Sequence, residues 1–325
     1  MTIEKIIDYL SEHISDPVPK YILIKEIHKK APSSPEYVSA YDDMTQSKWY
    51  RELAGEQWED GSWGRFHSQD SKAVKKQKFV TTEAALRRAR ALSVSKDDPM
   101  IAKCITKMER YVREEDTWTD KIEKHKDNGK GHLFCRPFMT AAYINMFDPE
   151  NPAIKPLRYV VAETLKTAFE TGDFDEDFWN QKQREYHVPG VVRPGTLYGS
   201  MLLQNTDDID DILQRHWLDY VWNQSGGMYY VSSVSPADKQ SMEDGRFAQW
   251  LSILEVLSGF SLFADYMKED ALPHLLNEAD RFITGNAACN LICRYSDSSR
   301  DKNKHKTDLI LRIARLLVKC TKGEG

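Results

Sequence analysis

The sequence predicts an all-α fold, and three observations indicate it. Apolar residues recur at the three- and four-residue spacing of amphipathic helices along most of the 325 residues. The alternation typical of a half-buried strand is nearly absent, and its best candidate is the short run 228–232. The segments between the predicted helices are mostly brief and contain Pro, Gly, Asn or Asp, which favours antiparallel helical hairpins packed side by side.

Local signals predict the helices in chain order. An apolar stripe begins at Ile3 and ends before the break at Pro17 and Pro19, and a second short stripe covers 21–27. Ser34 and Pro35 open a third helix, and Thr81 caps a later, arginine-rich one. The remaining helices are predicted at 45–56, 99–113, 138–147, 152–171, 176–187, 206–222, 245–267, 270–284 and 306–320. We expect the longest irregular stretches to collect on the rims of the fold, where function tends to lie; these are 60–80, 115–137, 188–196 and 231–244.

Composition predicts the broad class of protein. Apolar residues make up 41% and charged residues 29%, the balance of a soluble globular chain. The net charge of −5 gives no reason to expect nucleic acid as a partner. No apolar run approaches the roughly 20 residues of a membrane helix, and the start lacks the apolar core of a signal peptide. Five cysteines are too few for a disulfide framework, so we expect reduced thiols and a cytoplasmic location.

A short motif in residues 57–64 predicts how two helices are joined. Gln57, Gly61 and Trp63 stand at the spacing of glutamine, three residues, glycine, one residue and tryptophan. Glycine allows a turn with positive φ, and the indole covers apolar surface while its N–H finds a partner. The glutamine amide can bridge to the backbone of a neighbouring helix end. The motif is therefore expected to staple two helices.

This motif resembles the repeat signature of the terpenoid cyclase and protein prenyltransferase toroids. The resemblance implies an α/α toroid, a ring of antiparallel helical hairpins around a central, largely apolar cavity, similar to one domain of a squalene-hopene-type cyclase. We expect a single domain over residues 1–325, with 1–45 completing the ring and about 296–306 forming a mobile surface loop. A weaker copy, with Gln224, Gly227 and an aromatic residue after the turn, occurs about half a chain later.

An acidic string allows three interpretations. Asp208, Asp210 and Asp211 match the Asp-x-Asp-Asp of class II cyclases, and the resemblance implies that Asp210 protonates an alkene while its two neighbours tune its pKa. Asp207, Asp208 and Asp211 also resemble the Mg²⁺-diphosphate motif of class I terpene synthases, as a weaker alternative. The third interpretation is helix capping, because Asn205 or Thr206 suits an N-cap and acids favour the first turn.

Aromatic residues are abundant in the second half of the chain. The resemblance implies that some of them line the cavity and stabilise carbocations through their ring faces. The candidates for contact with the substrate are Trp217, Trp222, Tyr229, Phe247 and Trp250. Arg246 and Gln249, at the start of the same apolar helix as Phe247, are candidates for the polar edge of a pocket.

These features lead to three functional hypotheses. The first is a terpene cyclase-like protein that binds, and by protonation cyclises, a small apolar isoprenoid without a cofactor, or with Mg²⁺ in the class I alternative. The second is a non-catalytic toroid that binds a lipid or a protein partner. The third is a carbohydrate-active α/α barrel, in which Glu123 or Asp127 would pair with Asp210. The string Glu123, His125 and Asp127 is also a weak candidate for a metal or acid–base cluster.

Overall fold

The computed structural model of the protein describes residues 1–67, 77–118, 132–185, 188–298 and 301–320, with the backbone alone at 132–134. The prediction of an all-α fold is confirmed for these residues. They contain no strand, and the run 228–232 makes only isolated bridges, between Thr196 and Tyr229 and between Met228 and Ser232. The α-helices are α1 (Ile3–His13), α2 (Pro17–Ile22), α3 (Pro35–Thr45), α4 (Lys48–Gly55), α5 (Thr82–Ala91), α6 (Pro99–Val112), α7 (His132–Phe147), α8 (Lys155–Ala168), α9 (Glu176–Arg184), α10 (Leu197–Leu203), α11 (Asp211–Trp222), α12 (Phe247–Leu257), α13 (Phe263–Tyr266), α14 (Leu272–Ile283) and α15 (Lys302–Cys320).

Caps explain where many of these helices begin. The side chains of Thr2, Ser34, Thr81 and Asp175 each accept a hydrogen bond from a backbone N–H of the first turn that follows. Asp98 does the same for α6, whose first residue is Pro99. A capping oxygen satisfies one of the four N–H groups that a helix start leaves without a partner in the helix.

Several predicted helices have different bounds in the structure. α7 begins at His132 rather than at 138, and α11 begins at Asp211 rather than at 206. The expected break at Pro17 and Pro19 lies within α2, because proline is tolerated in the first turn of a helix. The predicted helix 245–267 is divided, because α12 ends at Leu257 and α13 begins only at Phe263, followed by a π-helical turn at Met267–Ala271. The last helix begins at Lys302 rather than at 306, because Asp301 accepts a hydrogen bond from the backbone N–H of Asn303. Residues 302–306 therefore belong to a helix and not to the surface loop that was expected there.

The chain divides into two compact units. Unit 1 contains Met1–Glu52 and Pro236–Gly325, and unit 2 contains Leu53–Ser235, so that the boundary falls within α4. In unit 1, α15 is the central helix: it packs against α1, α12, α13 and α14. Its apolar residues, among them Leu309, Ile313 and Leu317, are fully buried. In unit 2, α7 is the central helix and packs against α5, α6 and α10.

Candidate functional site

The first motif makes the contacts that a helix staple requires. The Gln57 amide donates two hydrogen bonds of 2.8 Å, one to the carbonyl of Gly61 and one to that of Met100 in the first turn of α6. Gly61 has a φ of +89°. The fully buried Trp63 indole donates to the carbonyl of Leu53, near the end of α4, over 2.8 Å. The motif thus joins the end of α4 to the start of α6.

The second copy of the motif differs from the first in the exposure of its aromatic residue. Gly227 again has a positive φ, +69°. The side chain of Tyr229 is 63% exposed, however, whereas Trp63 is buried. The Oε1 atom of Gln224 is buried and has no hydrogen-bond partner among the described residues. This copy therefore leaves an aromatic ring on the surface of unit 2 rather than stapling two helices with it.

The acidic string lies at the start of α11, in the geometry of the capping interpretation. The carboxylate of Asp210 accepts a hydrogen bond of 2.8 Å from the backbone N–H of Leu213, so Asp210 is the N-cap, not Asn205 or Thr206. The carboxylate of Asp208 pairs with the buried Arg158 guanidinium. Asp207, Asp210 and Asp211 are exposed. The string therefore lies at a helix start that is exposed to solvent.

The aromatic candidates are divided between the two units. In unit 2, Trp217 is fully buried and Trp222 is partly exposed. In unit 1, the indole of the buried Trp250 donates to the carbonyl of Pro236 over 2.8 Å, and Phe247 lines a cavity. Glu123, His125 and Asp127 lie outside the described residues.

Unit 2 also holds a buried polar cluster that the sequence analysis does not predict, formed by His67, Glu83 and Tyr198. One carboxylate oxygen of Glu83 lies 2.8 Å from Nδ1 of His67, and the other accepts a hydrogen bond of 2.6 Å from the Tyr198 hydroxyl. Glu83 and Tyr198 are 4% and 1% exposed. The imidazole of His67 is 27% exposed, so it is the member of the cluster that is open to solvent.

The helix staple and the start of α5 position the His67–Glu83–Tyr198 cluster. The backbone N–H of Trp63 donates to the side chain of Thr82 over 3.0 Å. The first N–H groups of α5, those of Thr82 and Glu83, donate to the carbonyls of Arg65 and Phe66. These bonds satisfy helix-start donors and bring His67 beside Glu83. Tyr198 enters from α10, the helix that packs on α7.

Electrostatics keep Glu83 ionised. Burial alone would raise its pKa, but the hydrogen bonds from His67 and Tyr198 outweigh burial, and the pKa is lowered overall. The pKa of Tyr198 is raised by burial and by the neighbouring Glu83 charge, so its hydroxyl remains a donor. Because an ionised carboxylate only accepts, Nδ1 of His67 carries the proton in this pair and Nε2 is the basic nitrogen of the neutral ring.

Two tyrosines form the exposed side of the cluster. The ring of Tyr230 packs edge-on against His67 and Tyr198, with centroids 5.9 and 5.5 Å away. The ring of Tyr229 lies beside the ring of Tyr230, with 4.2 Å between their centroids. Tyr229 is 63% exposed and Tyr230 is 49% exposed. Tyr230 has a φ of +70°, a conformation that costs a bulky residue free energy and is concentrated at functional sites.

The cluster can perform acid–base chemistry. A buried carboxylate that orients a histidine and stabilises its protonated form is a recurring device for making the second imidazole nitrogen a general base. Spacing in the sequence could not reveal it, since His67, Glu83 and Tyr198 come from a loop and two helices that are far apart along the chain. The only local signal was Glu83, whose place in a first helical turn also suits a purely structural acid.

The described residues give no indication of a metal site or of a membrane-spanning helix. No group of three His, Cys, Asp or Glu residues there has the geometry to hold a metal ion. None of the helices in the described ranges is both long enough and apolar enough to cross a bilayer. Comparison of the chain with models of protein families, with curated proteins and with solved structures finds no match. The resemblance to terpenoid cyclases therefore remains a prediction that rests on the motif.

Proposed function

We propose that the protein is an enzyme in which His67 acts as a general base on a small, largely apolar ligand of the isoprenoid class. The observation that carries this proposal is the pairing of a partly exposed imidazole with a buried, ionised Glu83. Ionised Glu83 stabilises the imidazolium that forms when Nε2 takes a proton. The fixed Nδ1–H also selects the tautomer in which Nε2 is the base.

The surroundings of His67 support an apolar ligand. The faces of the Tyr229 and Tyr230 rings offer apolar area and the negative quadrupole that stabilises a carbocation. Removal of a proton from a carbon next to such a cation creates a double bond and needs only a modest base. The reaction that fits is therefore a proton shift that isomerises or cyclises an isoprenoid. The imidazolium form of His67 gives its Nε2 proton to an alkene carbon and leaves a carbocation. The neutral Nε2 then takes a proton from a carbon next to the cation, whose C–H electron pair forms the new double bond, and the imidazolium is restored.

Protonation of an alkene by Asp210 is the alternative proposal for the start of such a reaction. Its support is the match to the acidic string of class II cyclases, while the exposure and capping role of Asp210 favour His67 as the group that handles protons. The variant Asp210→Asn separates the two, because asparagine caps helices about as well as aspartate and should not unfold α11. Mg²⁺ bound by Asp207, Asp208 and Asp211 is the class I version of this alternative.

The experiment offers linear prenyl diphosphates and squalene to the purified protein, with and without Mg²⁺, and identifies products by gas chromatography and mass spectrometry. We expect His67→Asn and Glu83→Gln to lower the rate by at least about 100-fold, the usual contribution of a general base. Asp210→Asn, and the exposed control His28→Asn, should keep the rate. Thermal unfolding of each variant shows whether it is folded.

Three other outcomes would contradict this proposal. Loss of product in Asp210→Asn with activity retained in His67→Asn would transfer the proton step to Asp210. Product that depends on Mg²⁺, together with diphosphate release, would favour the class I alternative. If no substrate is turned over but prenyl alcohols bind, the non-catalytic toroid is the better proposal. The carbohydrate-active alternative has less support, because the cluster contains one carboxylate and glycoside hydrolysis usually needs two that face each other.

A further inference from the structure

Unit 1 contains a cavity that is independent of the His67–Glu83–Tyr198 cluster. Its volume is about 470 Å³, within the range of about 300–1,000 Å³ that is usual for small-molecule sites. It lies between the start of α12 and the irregular segment 288–292. Met242, Phe247 and Leu291 line it, and the apolar lining continues to Ile292, whose side chain is 49% exposed. A cavity with this lining suits the apolar body of a ligand.

The charged residues that line this cavity are both acidic. They are Glu243 and Asp244, whose side chains are 41% and 36% exposed, and no Lys or Arg is among the lining residues. Oε1 of Glu243 accepts from Arg281 over 2.9 Å, and Oδ1 of Asp244 accepts from the backbone N–H of Arg246 over 2.8 Å. The Arg246 guanidinium lies 3.5 Å from the same Oδ1, so each carboxylate also has an arginine partner from outside the lining. These hydrogen bonds do not use Oε2 of Glu243 or Oδ2 of Asp244, which can accept from a ligand.

The thiol of Cys289 is also in the lining, and its pKa is raised. Burial raises its pKa most, and a backbone hydrogen bond at Leu291 lowers it. Among charged neighbours, the Glu243 carboxylate raises the pKa more than the Arg312 guanidinium lowers it, and Glu278 raises it further. The Glu243 carboxylate is therefore close enough to this wall of the cavity to act on a group placed there.

We propose that this cavity binds a small molecule with an apolar body and a protonated amine. The apolar body lies against Phe247, Met242 and Leu291, and the ammonium group donates to Glu243 and Asp244. A carboxylate or diphosphate head group is disfavoured, because the lining supplies two carboxylates and no Lys or Arg side chain to pair with it. The site is separate from that of the proposed acid–base reaction, since every lining residue belongs to unit 1.

Gly245 offers a place in the cavity wall for a larger side chain that does not disturb the backbone. It lines the cavity, its φ is not positive, and a Cβ placed on it would meet no atom within 4 Å. Gly245→Leu therefore puts a side chain into open space. Gly55 is the matched control, because it also has a permissive φ and open space but does not line the cavity.

The experiment measures binding of n-octylamine, n-octanol and octanoate to the full chain by isothermal titration calorimetry, below the concentrations at which they form micelles. We expect octylamine to bind, octanol to bind more weakly, and octanoate not to bind. Gly245→Leu should weaken octylamine at least about tenfold, and Gly55→Leu should not. Glu243→Gln should weaken it about two- to fivefold, as expected for a partly exposed charge pair. Asp265→Asn, an exposed acid outside the lining, should have no effect.

Two results would overturn the proposal. Octanoate or octanol that binds as tightly as octylamine would show that the carboxylates do not select a cation. Octylamine binding that is unchanged in both Gly245→Leu and Glu243→Gln would show that the amine binds somewhere other than this cavity. Neither result bears on the His67 reaction, whose variants and products are measured separately.

Discussion

At the scale of single residues, Gly61 shows how one position can be fixed for two reasons. Its φ of +89° is costly for any residue with a Cβ, and a Cβ there would lie 2.6 Å from the carbonyl oxygen of Lys103. Gly172 has a similar φ, +94°, but its Cβ would meet nothing within 4 Å. Substitutions at the two glycines therefore distinguish the cost of backbone strain, which both share, from the cost of steric overlap, which only Gly61 has.

We expect Gly172→Ala to lower the free energy of unfolding by about 1 kcal/mol, from strain alone. Gly61→Ala should lower it by about 2–4 kcal/mol, because α6 must move away from the new methyl group as well. Urea unfolding followed by circular dichroism measures both. Equal losses in the two variants would mean that the contact with Lys103 is relieved at no cost.

Glu83 should make stability depend on pH in a defined direction. Because its pKa is lower in the folded protein than the ordinary value of 4.5, folding favours the ionised form. That stabilisation is fully present above pH 4.5 and is lost as pH falls through the lowered pKa. We expect Glu83→Gln to be less stable than the natural protein at pH 7, and the difference to shrink below pH 4.5.

Urea midpoints of both proteins, measured from pH 7 to pH 3, test this expectation. The control is Glu150→Gln, which removes an exposed carboxylate paired with Lys155 and should change little at any pH. A difference for Glu83→Gln that grows as the pH falls would contradict the sign.

At the scale of elements, a buried polar network joins three helices of unit 2. The side-chain amide of Asn145, on α7, donates to the carbonyls of Met201 and Gln204 at the end of α10, over 2.8 and 2.9 Å. Its oxygen accepts from the guanidinium of Arg158, on α8, over 2.6 Å. Asn145 is fully buried and uses both ends of its amide, so hydrogen bonds as well as apolar contacts join α7, α8 and α10.

We expect Asn145→Ala to lower the free energy of unfolding by about 2–4 kcal/mol, because it leaves two carbonyls and a buried guanidinium short of a partner. The exposed Asn180→Ala on α9 is the control and should stay within about 0.5 kcal/mol of the natural protein. A loss below 1 kcal/mol for Asn145→Ala would show that water replaces the lost bonds.

At the scale of the whole molecule, unit 2 is one continuous stretch of chain, whereas unit 1 is made from both ends. The helix staple, the Asn145 network and the His67–Glu83–Tyr198 cluster find all the partners named here within residues 53–235. We therefore expect the fragment 53–235, produced alone, to be helical and to unfold cooperatively in urea.

The same fragment with Gly61→Ala should unfold at a lower urea concentration, as in the full chain. A fragment that has no cooperative transition would support the alternative expectation, that residues 1–325 fold as one domain.

The local sequence was enough to predict the features that depend on residues close together along the chain. Helical periodicity and capping residues predicted most of the described helices, α10 excepted, because both act within one or two turns. The motif at Gln57, Gly61 and Trp63 predicted a turn between helices, because it too is local in the sequence. Errors arose where competing local signals were equally good: Asn205, Thr206 and Asp210 can all cap a helix, and only the path of the chain selects Asp210.

The two candidate sites, by contrast, are formed only by the tertiary structure. His67, Glu83 and Tyr198 carry no shared spacing, and their hydrogen bonds form only after the loop behind Trp63 is held against α5 and after α10 packs on α7. The cavity beside Phe247 likewise depends on residues 288–292, which return to α12 from a distant part of the chain. Periodicity reports which side of a helix faces inward, but burial, pKa and the meeting of polar groups are properties of packed neighbours, and those neighbours are brought together only by the fold.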